Sequence, residues 1–327
     1  MGMLEKRPYG KTGEHVSVLG LGGGYLNKYS YMDGVATVRR ALELGVSYFD
    51  TSPFYGQGAT RYGTGASQAI LGEALEGRSE SFLVATKVGH FAAASRFRSA
   101  DAIRTQIDEN LRLLRRDSVD VLQIHESDWQ WWWTDTPQEE MGAPLDPSFD
   151  YDGSPVMDVL REARAEGRCR YIGITANDSD KLARVLGKVD VDTCLSAYGY
   201  DTLRRGTRRD IMPVARKAGV VMIVGGVLSS LHDTAVHPEW LTSPPPWMTP
   251  DLRADFEGLY RVQSECGLSL IELTLRYLLA DREVSTVLVG AARPAEIEEW
   301  VEAAEKGPLP SELHDAIERL VHDQGSS

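Results

Sequence analysis

The architecture can be approached from one segment near the amino terminus, Gly45-Val46-Ser47-Tyr48-Phe49-Asp50-Thr51-Ser52-Pro53-Phe54-Tyr55-Gly56. Its apolar run, Val46 to Phe49, is typical of a short buried strand, and the Ser-Pro pair that follows indicates a turn. Asp50 therefore falls at the carboxyl end of a strand, and Tyr55 falls in the loop above it. Taken alone, a capping aspartate and an ordinary loop tyrosine are the simpler interpretation. The ends of the other strands have to decide.

Short apolar runs alternate with helical patterns along the rest of the chain. The predicted strands are Val16–Leu21, Val46–Phe49, Phe82–Thr86, Val119–Ile124, Cys169–Ile174, Asp192–Ser196, Val220–Val224 and Ser285–Val289. The predicted helices are Asp33–Leu44, Gln68–Leu75, Ser99–Arg116, Val156–Glu166, Ser179–Leu186, Arg208–Ala218, Asp251–Cys266, Leu268–Ala280, Pro294–Ala304 and Ser311–His322. This alternation, without a linker that would mark a boundary, favours a single α/β domain over residues 1–327, a (β/α)8 TIM barrel.

The competing architecture is an open, doubly wound sheet. Such a sheet usually has fewer strands and carries a phosphate-binding turn after the first of them. The glycines at 22–24 follow the first predicted strand, but they lack the spacing of a dinucleotide-binding turn. A closed barrel is therefore the simpler prediction, with a turn-rich segment before it and an extra helix after it.

Two long inserts interrupt the alternation, at residues 126–155 after the fourth strand and at residues 228–248 after the seventh. The first insert contains four tryptophans, which are costly on a surface unless they cover something. A lid that stacks on a substrate ring would use Trp129, Trp131 and Trp133. Packing against the barrel rim or against an oligomer partner explains the same residues equally well.

The composition limits the possible partners. The chain has 327 residues, of which 42% are hydrophobic and 25% charged, and its formal net charge of −13 disfavours nucleic acid and anionic membranes. No apolar run approaches the length of a membrane span, and no secretory signal is recognisable, so a cytoplasmic location is expected. The three cysteines are widely spaced and form no CxxC pair. Monomer and homo-oligomer both stay open.

Polar side chains at neighbouring strand ends suggest a catalytic site. The second, third and fourth strands lead to Asp50, Lys87 and His125, and Tyr55 lies just beyond the second. In a barrel these ends share one rim, where barrel enzymes keep their catalytic groups. Tyrosine has an ordinary pKa of about 10, and a neighbouring ammonium would lower it. Lys87 can supply that ammonium, and a buried ammonium needs a carboxylate such as that of Asp50.

A neutral imidazole at His125 could hold a substrate oxygen in place. The sequence sets up no nucleophilic serine or cysteine, and no pair of His, Asp or Glu residues has the spacing of metal ligands, so no metal is expected. The four residues therefore suit proton transfer to or from an oxygen rather than hydrolysis.

At this point the chain resembles the aldo-keto reductase superfamily over nearly its whole length. The segments that carry the resemblance are Tyr48–Gly56, Ile70–Leu75, Ala85–Gly89, Val119–His125, Gly167–Ile174 and Thr286–Ala291. The resemblance implies a barrel that binds a nicotinamide dinucleotide without a Rossmann fold and acts on a small carbonyl or sugar substrate. It also implies that Tyr55 is the proton donor or acceptor, assisted by Lys87, Asp50 and His125. A regulatory barrel that binds cofactor with little turnover is the alternative.

The resemblance also implies a set of cofactor contacts. The family usually offers a Ser-Asn pair to the nicotinamide amide after the fifth strand, whereas this chain has Ala176-Asn177. The runs Val224–Ser229 and Leu195–Tyr200 together resemble the branch that oxidises free sugars such as L-galactose, L-fucose and related aldoses. The residues expected to contact the cofactor are Gly22, Asn177, Ser196, Gly225, Gly226, Leu228, Ser229, Gly290, Ala292, Arg293 and Glu296. Tyr25 and His90 are expected to line the substrate pocket.

The same comparison bears on the choice of cofactor. Where NADP-specific members carry a lysine and an arginine for the 2′-phosphate, this chain places Gly290 and Glu296. A carboxylate there repels a phosphate and can accept a hydrogen bond from a ribose hydroxyl. Arg293 lies close by and argues in the other direction. On balance NAD is expected to be preferred over NADP.

Overall fold

The computed structural model describes residues 4–56, 64–140 and 142–320, and its centre is a closed barrel of eight parallel strands. A two-stranded antiparallel hairpin precedes the barrel. The hairpin strands are β1 (Lys6–Pro8) and β2 (His15–Ser17). The barrel strands are β3 (Leu19–Gly22), β4 (Tyr48–Asp50), β5 (Leu83–Val88), β6 (Val119–Ile124), β7 (Cys169–Ala176), β8 (Thr193–Ala197), β9 (Val221–Gly225) and β10 (Val284–Gly290). The predicted barrel is confirmed.

The first predicted strand, Val16–Leu21, is two strands in the structure. The chain changes partners at Val18, whose N–H donates to the Glu5 carbonyl while its own carbonyl accepts from Val287 N–H. Residues before Val18 therefore belong to the hairpin, and residues after it belong to the barrel. Hydrophobicity runs unbroken through the junction, which is why the sequence pattern does not reveal it.

Helices cover the outside of the barrel. They are α1 (Tyr31–Glu43), α2 (Ala66–Leu75), α3 (Ala100–Leu114), α4 (Pro155–Ala165), α5 (Ser179–Leu186), α6 (Met212–Ala218), α7 (Glu239–Thr242), α8 (Pro250–Cys266), α9 (Leu270–Leu278), α10 (Pro294–Glu305) and α11 (Ser311–Glu318). A π-helical turn, Thr207–Ile211, precedes α6, where Pro213 has no N–H to continue a regular ladder. The second insert contains α7, although its sequence shows no periodicity.

The hairpin closes the amino-terminal end of the barrel. Tyr9 is fully buried beneath the barrel, and its hydroxyl donates to the hydroxyl of Tyr48 at the start of β4. The Arg7 guanidinium donates to the carbonyls of Leu279, Asp281 and Val284. With this end plugged, the carboxyl ends of the strands form the accessible mouth, which is where barrel enzymes bind their ligands.

Candidate active site

Three neighbouring strands bring the predicted catalytic residues to the mouth. Asp50 ends β4, Lys87 is the penultimate residue of β5, and His125 directly follows β6. The register pairs Asp50 with Ala85 and Lys87 with Gln123, so Lys87 and His125 each stand two residues beyond the position paired with the preceding residue of the group. The predicted grouping of these residues on one rim agrees with their placement.

Lys87 and Asp50 form a buried ion pair. Their side chains are 1% and 2% exposed, and Lys87 Nζ donates to Asp50 Oδ1 and, at 2.9 Å, to the Thr51 carbonyl. The second carboxylate oxygen accepts from Gln123 Nε2 at 2.8 Å. Burial lowers the pKa of Lys87 from its usual value, and the charge of Asp50 opposes that shift. Each ion thus has the partners that a charge needs in an interior of low polarity.

Tyr55 lies against this pair. The Lys87 ammonium is 4.7 Å from the centre of the Tyr55 ring, and the ring meets His125 edge-on with centroids 5.7 Å apart. Burial is the largest cause that raises the pKa of Tyr55 well above 10, and the negative charge of Asp50 adds to it. This corrects the expectation that Lys87 lowers the phenol pKa in the resting protein, because the ammonium faces the ring and is paired with an anion.

His125 is held in a fixed orientation. Its Nδ1 is 3.0 Å from the Ser52 hydroxyl, which leaves Nε2 toward the pocket. Burial, followed by the charges of His90 and Lys87, lowers the pKa of His125 well below 6.5, so the imidazole is neutral as the sequence predicts. The Trp132 indole N–H donates to the His125 carbonyl at 2.9 Å and fixes the backbone at this point.

Gly89, two residues beyond Lys87, allows this close packing. A Cβ added there would lie 2.9 Å from the Trp132 ring and 3.2 Å from the Cβ of His125, and the φ of Gly89 is +134°. A side chain at this position would therefore displace either the indole or the catalytic imidazole.

His90 and Glu126 complete the wall of the pocket. The His90 ring stacks on Phe54 with centroids 3.9 Å apart and lies 4.3 Å from the His125 ring. Glu126 is buried, and its Oε2 accepts from Asn177 Nδ2 at 2.7 Å. His90 therefore lies where the sequence predicts a pocket residue. Glu126 is an addition, and it places a carboxylate next to the catalytic imidazole.

The tryptophans of the first insert divide into two kinds. Trp132 and Trp133 are buried, and the Trp133 indole N–H donates to the Ser127 carbonyl while the ring packs on Tyr151. The placement of Trp133 therefore corrects its assignment to the substrate pocket and favours packing. Trp129 is partly exposed and lies 5.0 Å from the His90 ring, and Trp131 packs beside Trp129. Trp129 stays a candidate for substrate contact.

The candidate cofactor residues lie around the same mouth. Ser196, in β8, is buried, and its hydroxyl is 2.7 Å from that of Thr207. Asn177 is exposed, and donation from its nitrogen to Glu126 leaves the side-chain oxygen able to accept a hydrogen bond from a ligand. Gly225 ends β9, followed by Gly226, which has a φ of +65° and where an added Cβ would lie 2.4 Å from the Tyr198 ring. Beyond them, in the same loop, lie Leu228 and Ser229.

A second part of the candidate cofactor site surrounds the start of α10. The carboxylate of Glu296 accepts from the Ala292 N–H at 2.8 Å. The guanidinium of Arg293 lies 3.7 Å from the centre of the Tyr29 ring. Gly290 ends β10 beside Gly22 of β3, and a Cβ on Gly290 would lie 2.7 Å from the exposed Tyr25 ring. Open backbone, a helix start and exposed rings fit a nicotinamide dinucleotide.

Three contributing residues were not identified from the sequence. Gln123 binds Asp50, Ser52 binds His125, and Glu126 binds Asn177. Gln123 could have been identified from the sequence, because a glutamine inside an apolar strand needs a buried hydrogen-bond partner. Ser52 and Glu126 gave no such signal, since a serine before proline and an acid after a strand are ordinary loop residues.

Comparison with known proteins identifies the family. Residues 18–322 match the model of the aldo/keto reductase family, and the chain belongs to that family. It is accordingly an NAD(P)-dependent oxidoreductase. None of the helices in the described part of the chain is long and apolar enough to cross a membrane.

Several relatives are similar along almost the entire chain. It is 33% identical to L-galactose dehydrogenase of Arabidopsis thaliana, with 93% of this chain and 89% of that protein covered. It is 24% identical to pyridoxal 4-dehydrogenase of Microbacterium luteolum, over 91% and 92% of the two chains. The solved holo structure of an aldo-keto reductase from Bacillus halodurans matches with a TM-score of 0.73 at 25% identity, covering 98% of this chain and 99% of that one.

Proposed function

We propose that the protein is an NAD-preferring dehydrogenase that oxidises the anomeric hydroxyl of an aldose, with Tyr55 as general acid and base. The observation that carries the chemistry is the convergence of Tyr55, Lys87, Asp50 and His125 at one mouth of the barrel. The substrate class is supported by the similarity to an L-galactose dehydrogenase, at 33% identity over 93% of this chain.

The proton moves at the hydroxyl of Tyr55. In oxidation the phenol oxygen receives the proton of the substrate hydroxyl, and in reduction it returns a proton to the carbonyl oxygen. Its raised pKa keeps Tyr55 protonated at rest, ready to donate in reduction. In oxidation the phenol must first release this proton to water, and the phenolate then accepts the proton of the substrate hydroxyl. When bound, the nicotinamide accepts or gives the hydride at the same carbon. Lys87, 4.7 Å from the ring centre, stabilises negative charge that develops on the phenol.

Two residues hold the reacting oxygen and the cofactor. The Ser52 hydroxyl fixes His125, whose Nε2 binds the substrate oxygen beside Tyr55. The Asn177 oxygen would accept from the amide of a bound nicotinamide, while the Asn177 nitrogen donates to Glu126. Ser196 supplies a further hydroxyl at this wall. Trp129 covers the outer side of the pocket near His90.

The preference for NAD is assigned to Glu296. Its carboxylate lies at the start of α10, where the family holds the adenosine end, and it repels a 2′-phosphate. Arg293, which could offset this repulsion, has its guanidinium on the face of Tyr29. We also propose a cytoplasmic location, supported by free thiols at all three cysteines.

The test is a dehydrogenase assay at the nicotinamide absorbance band with NAD and NADP across aldoses, polyols and pyridoxal-like alcohols. The expected result is NAD-dependent turnover of one or more aldoses. In Glu296→Gln the ratio of kcat/KM values for NAD and NADP should move toward NADP, whereas Glu299→Gln, an exposed acid on the same helix, should leave the ratio unchanged. Tighter binding of NADP by the unaltered protein would refute the cofactor assignment, and turnover of other alcohols alone would refute the substrate class.

A further inference from the structure

Three potential metal ligands converge beside the catalytic tyrosine, a grouping that the sequence spacing does not show. One ligand atom from each of His90, His125 and Glu126 lies within 4.8 Å of the others, and within residues 4–56, 64–140 and 142–320 no other group of three is this close. Glu126 Oε1 is 3.8 Å from His90 Nε2 and 3.9 Å from His125 Nε2. We propose that these residues form a site for a divalent transition-metal ion, Zn²⁺ in particular, and that the bound ion inhibits the enzyme.

His90 provides the independent sign of a ligand. Its side chain is 10% exposed, and its Nε2 is buried without a hydrogen-bond partner among the described residues. A buried polar atom left in this state costs free energy that a ligand can recover. The stacking of the ring on Phe54, with planes 15° apart, prevents His90 from turning easily toward solvent.

The other two ligands are already oriented by their neighbours. The Ser52 hydroxyl occupies His125 Nδ1, so that Nε2 faces the cluster. Asn177 occupies Oε2 of Glu126 and leaves Oε1 for the cluster. Metal sites in proteins commonly have such outer partners, which fix the direction of each ligand.

The backbone also directs two of the side chains inward. His90 has a φ of 54° and Glu126 a φ of 53°, both in the left-handed region that residues other than glycine rarely adopt. Conformations of this kind are unfavourable and persist where surrounding structure holds them, often at functional sites. Here both place a ligand atom at the same point.

The ligand types select the ion. Two imidazoles and a carboxylate suit Zn²⁺, whereas Mg²⁺ and Ca²⁺ prefer oxygen ligands alone. A tetrahedral Zn²⁺ with bonds of about 2.1 Å holds its ligand atoms roughly 3.4 Å apart. The 3.8 and 3.9 Å separations from Glu126 therefore need to close by about half an ångström on binding, and the two imidazole nitrogens, which lie within 4.8 Å of each other, by up to about 1.4 Å. The fourth position would be taken by water.

Inhibition by the ion is expected because the ion and the substrate would use the same nitrogen of His125, and this expectation rests on the proposed function. Nε2 of His125 is the atom that binds the substrate oxygen in the proposed reaction, and it cannot bind the ion and that oxygen together. Zn²⁺ is therefore expected to compete with the carbonyl or sugar substrate. The site itself does not depend on this consequence.

Calorimetric titration of the full chain with ZnCl₂, after removal of metals with a chelator, tests the site without turnover. One ion per chain should bind, and Glu126→Gln and His90→Gln should each weaken binding at least about tenfold. His237→Gln is the matched control, because His237 also contacts two carboxylates, those of Asp233 and Glu239, but on the surface. No Zn²⁺ binding, unchanged binding in the first two variants, or loss of binding in the control would overturn the site.

X-ray absorption at the zinc edge of the unaltered protein answers the same question independently of how the variants fold. The expected shell contains nitrogen and oxygen only. Sulfur in the shell would mean that the partly exposed Cys266 binds the ion, and it would overturn the proposal. In the activity assay Zn²⁺ should raise the apparent KM for the substrate, and EDTA should reverse the effect. Binding at the three residues without inhibition would refute the inhibitory role and leave the dehydrogenase assignment untouched.

Discussion

The buried ion pair of Lys87 and Asp50 makes a quantitative prediction about stability. Asp50→Asn keeps the shape of the side chain and removes the only charge that directly contacts the buried ammonium among the described residues. Lys87 then retains the Thr51 carbonyl at 2.9 Å but loses its counter-ion. Breaking one side of such a pair costs about 3–5 kcal/mol because an uncompensated charge stays in the interior. Both side chains are at least 98% buried, so solvent screening does not reduce this value.

The double variant measures how much of the stability comes from the interaction between Lys87 and Asp50. Lys87→Met alone leaves the carboxylate with Gln123 as its neutral partner and should cost a similar amount. Asp50→Asn combined with Lys87→Met removes both charges. The double variant should therefore lose less free energy of unfolding than the two single variants together. The difference should be about 0.5–3 kcal/mol, the usual interaction energy of residues in contact. Activity should still be absent in the double variant, because the ammonium beside Tyr55 is missing.

The assay is urea unfolding followed by tryptophan fluorescence, with turnover measured on the same samples. A loss of about 3–5 kcal/mol in either single variant should also lower the melting temperature by roughly 4–7 °C in a chain of this size. Additive single effects, within about 0.5 kcal/mol, would mean that the two charges are not coupled. If Asp50→Asn lowered the free energy of unfolding by less than about 1 kcal/mol, the pair would contribute no more than a surface salt bridge does. That result would refute the claim that the buried pair stabilises the fold.

Three further outcomes are expected. Tyr55→Phe should lower kcat by about 10²–10⁴-fold and leave the dissociation constant for NADH unchanged, as measured by fluorescence titration; near-normal turnover would disprove its role. Burial first, then the charge of Glu126, raises the pKa of Asp128 to about 7, so this carboxyl stabilises the fold below pH about 4, and that contribution is lost as the pH rises to about 7. Asp128→Asn should thus gain stability over the unaltered protein across this range, by at most about 1.4 kcal/mol per pH unit, and a pH-independent difference in urea midpoints would contradict the assignment. Trp129→Ala should raise KM with little change in melting temperature, whereas Trp133→Ala should lower the melting temperature first; the reverse pattern would refute the division of the insert.

The fold was predictable because strand and helix periods recur along the chain. The helix Ser179–Leu186 was predicted to the residue, and every predicted barrel strand overlaps an observed one. The errors in the predicted strand bounds occur where the hydrophobic pattern does not show which strand is the hydrogen-bonding partner. Val18 continues an apolar run and yet marks the change from hairpin to barrel, because hydrogen bonding rather than burial changes there. Residues 321 and 322 of the last predicted helix lie outside the described residues.

The grouping of the catalytic residues followed from the same periodicity, since parallel strands present their carboxyl ends on one rim. The direction of the pKa shift of Tyr55 did not follow from the sequence. The Lys87 ammonium lies beside the phenol, but it is paired with Asp50, and the negative charge of Asp50 acts on the phenol pKa in the opposite direction. Burial then dominates and raises the pKa of Tyr55. Proximity could be inferred from the sequence, but the balance between charge and desolvation required the side-chain positions.

Some residues of the pocket stand on barrel strands, and others stand on the loops above them. Lys87 and Asp50 stand on paired strands, so their separation is fixed by the barrel register. His90 and Glu126 reach the same point from loops, and each does so through a left-handed backbone angle that strand geometry does not supply. Such angles often occur at functional sites, although helix ends such as Arg115 adopt them as well. We therefore expect the loop wall to serve binding, of a substrate hydroxyl or of a metal ion, and the strands to serve the proton transfer.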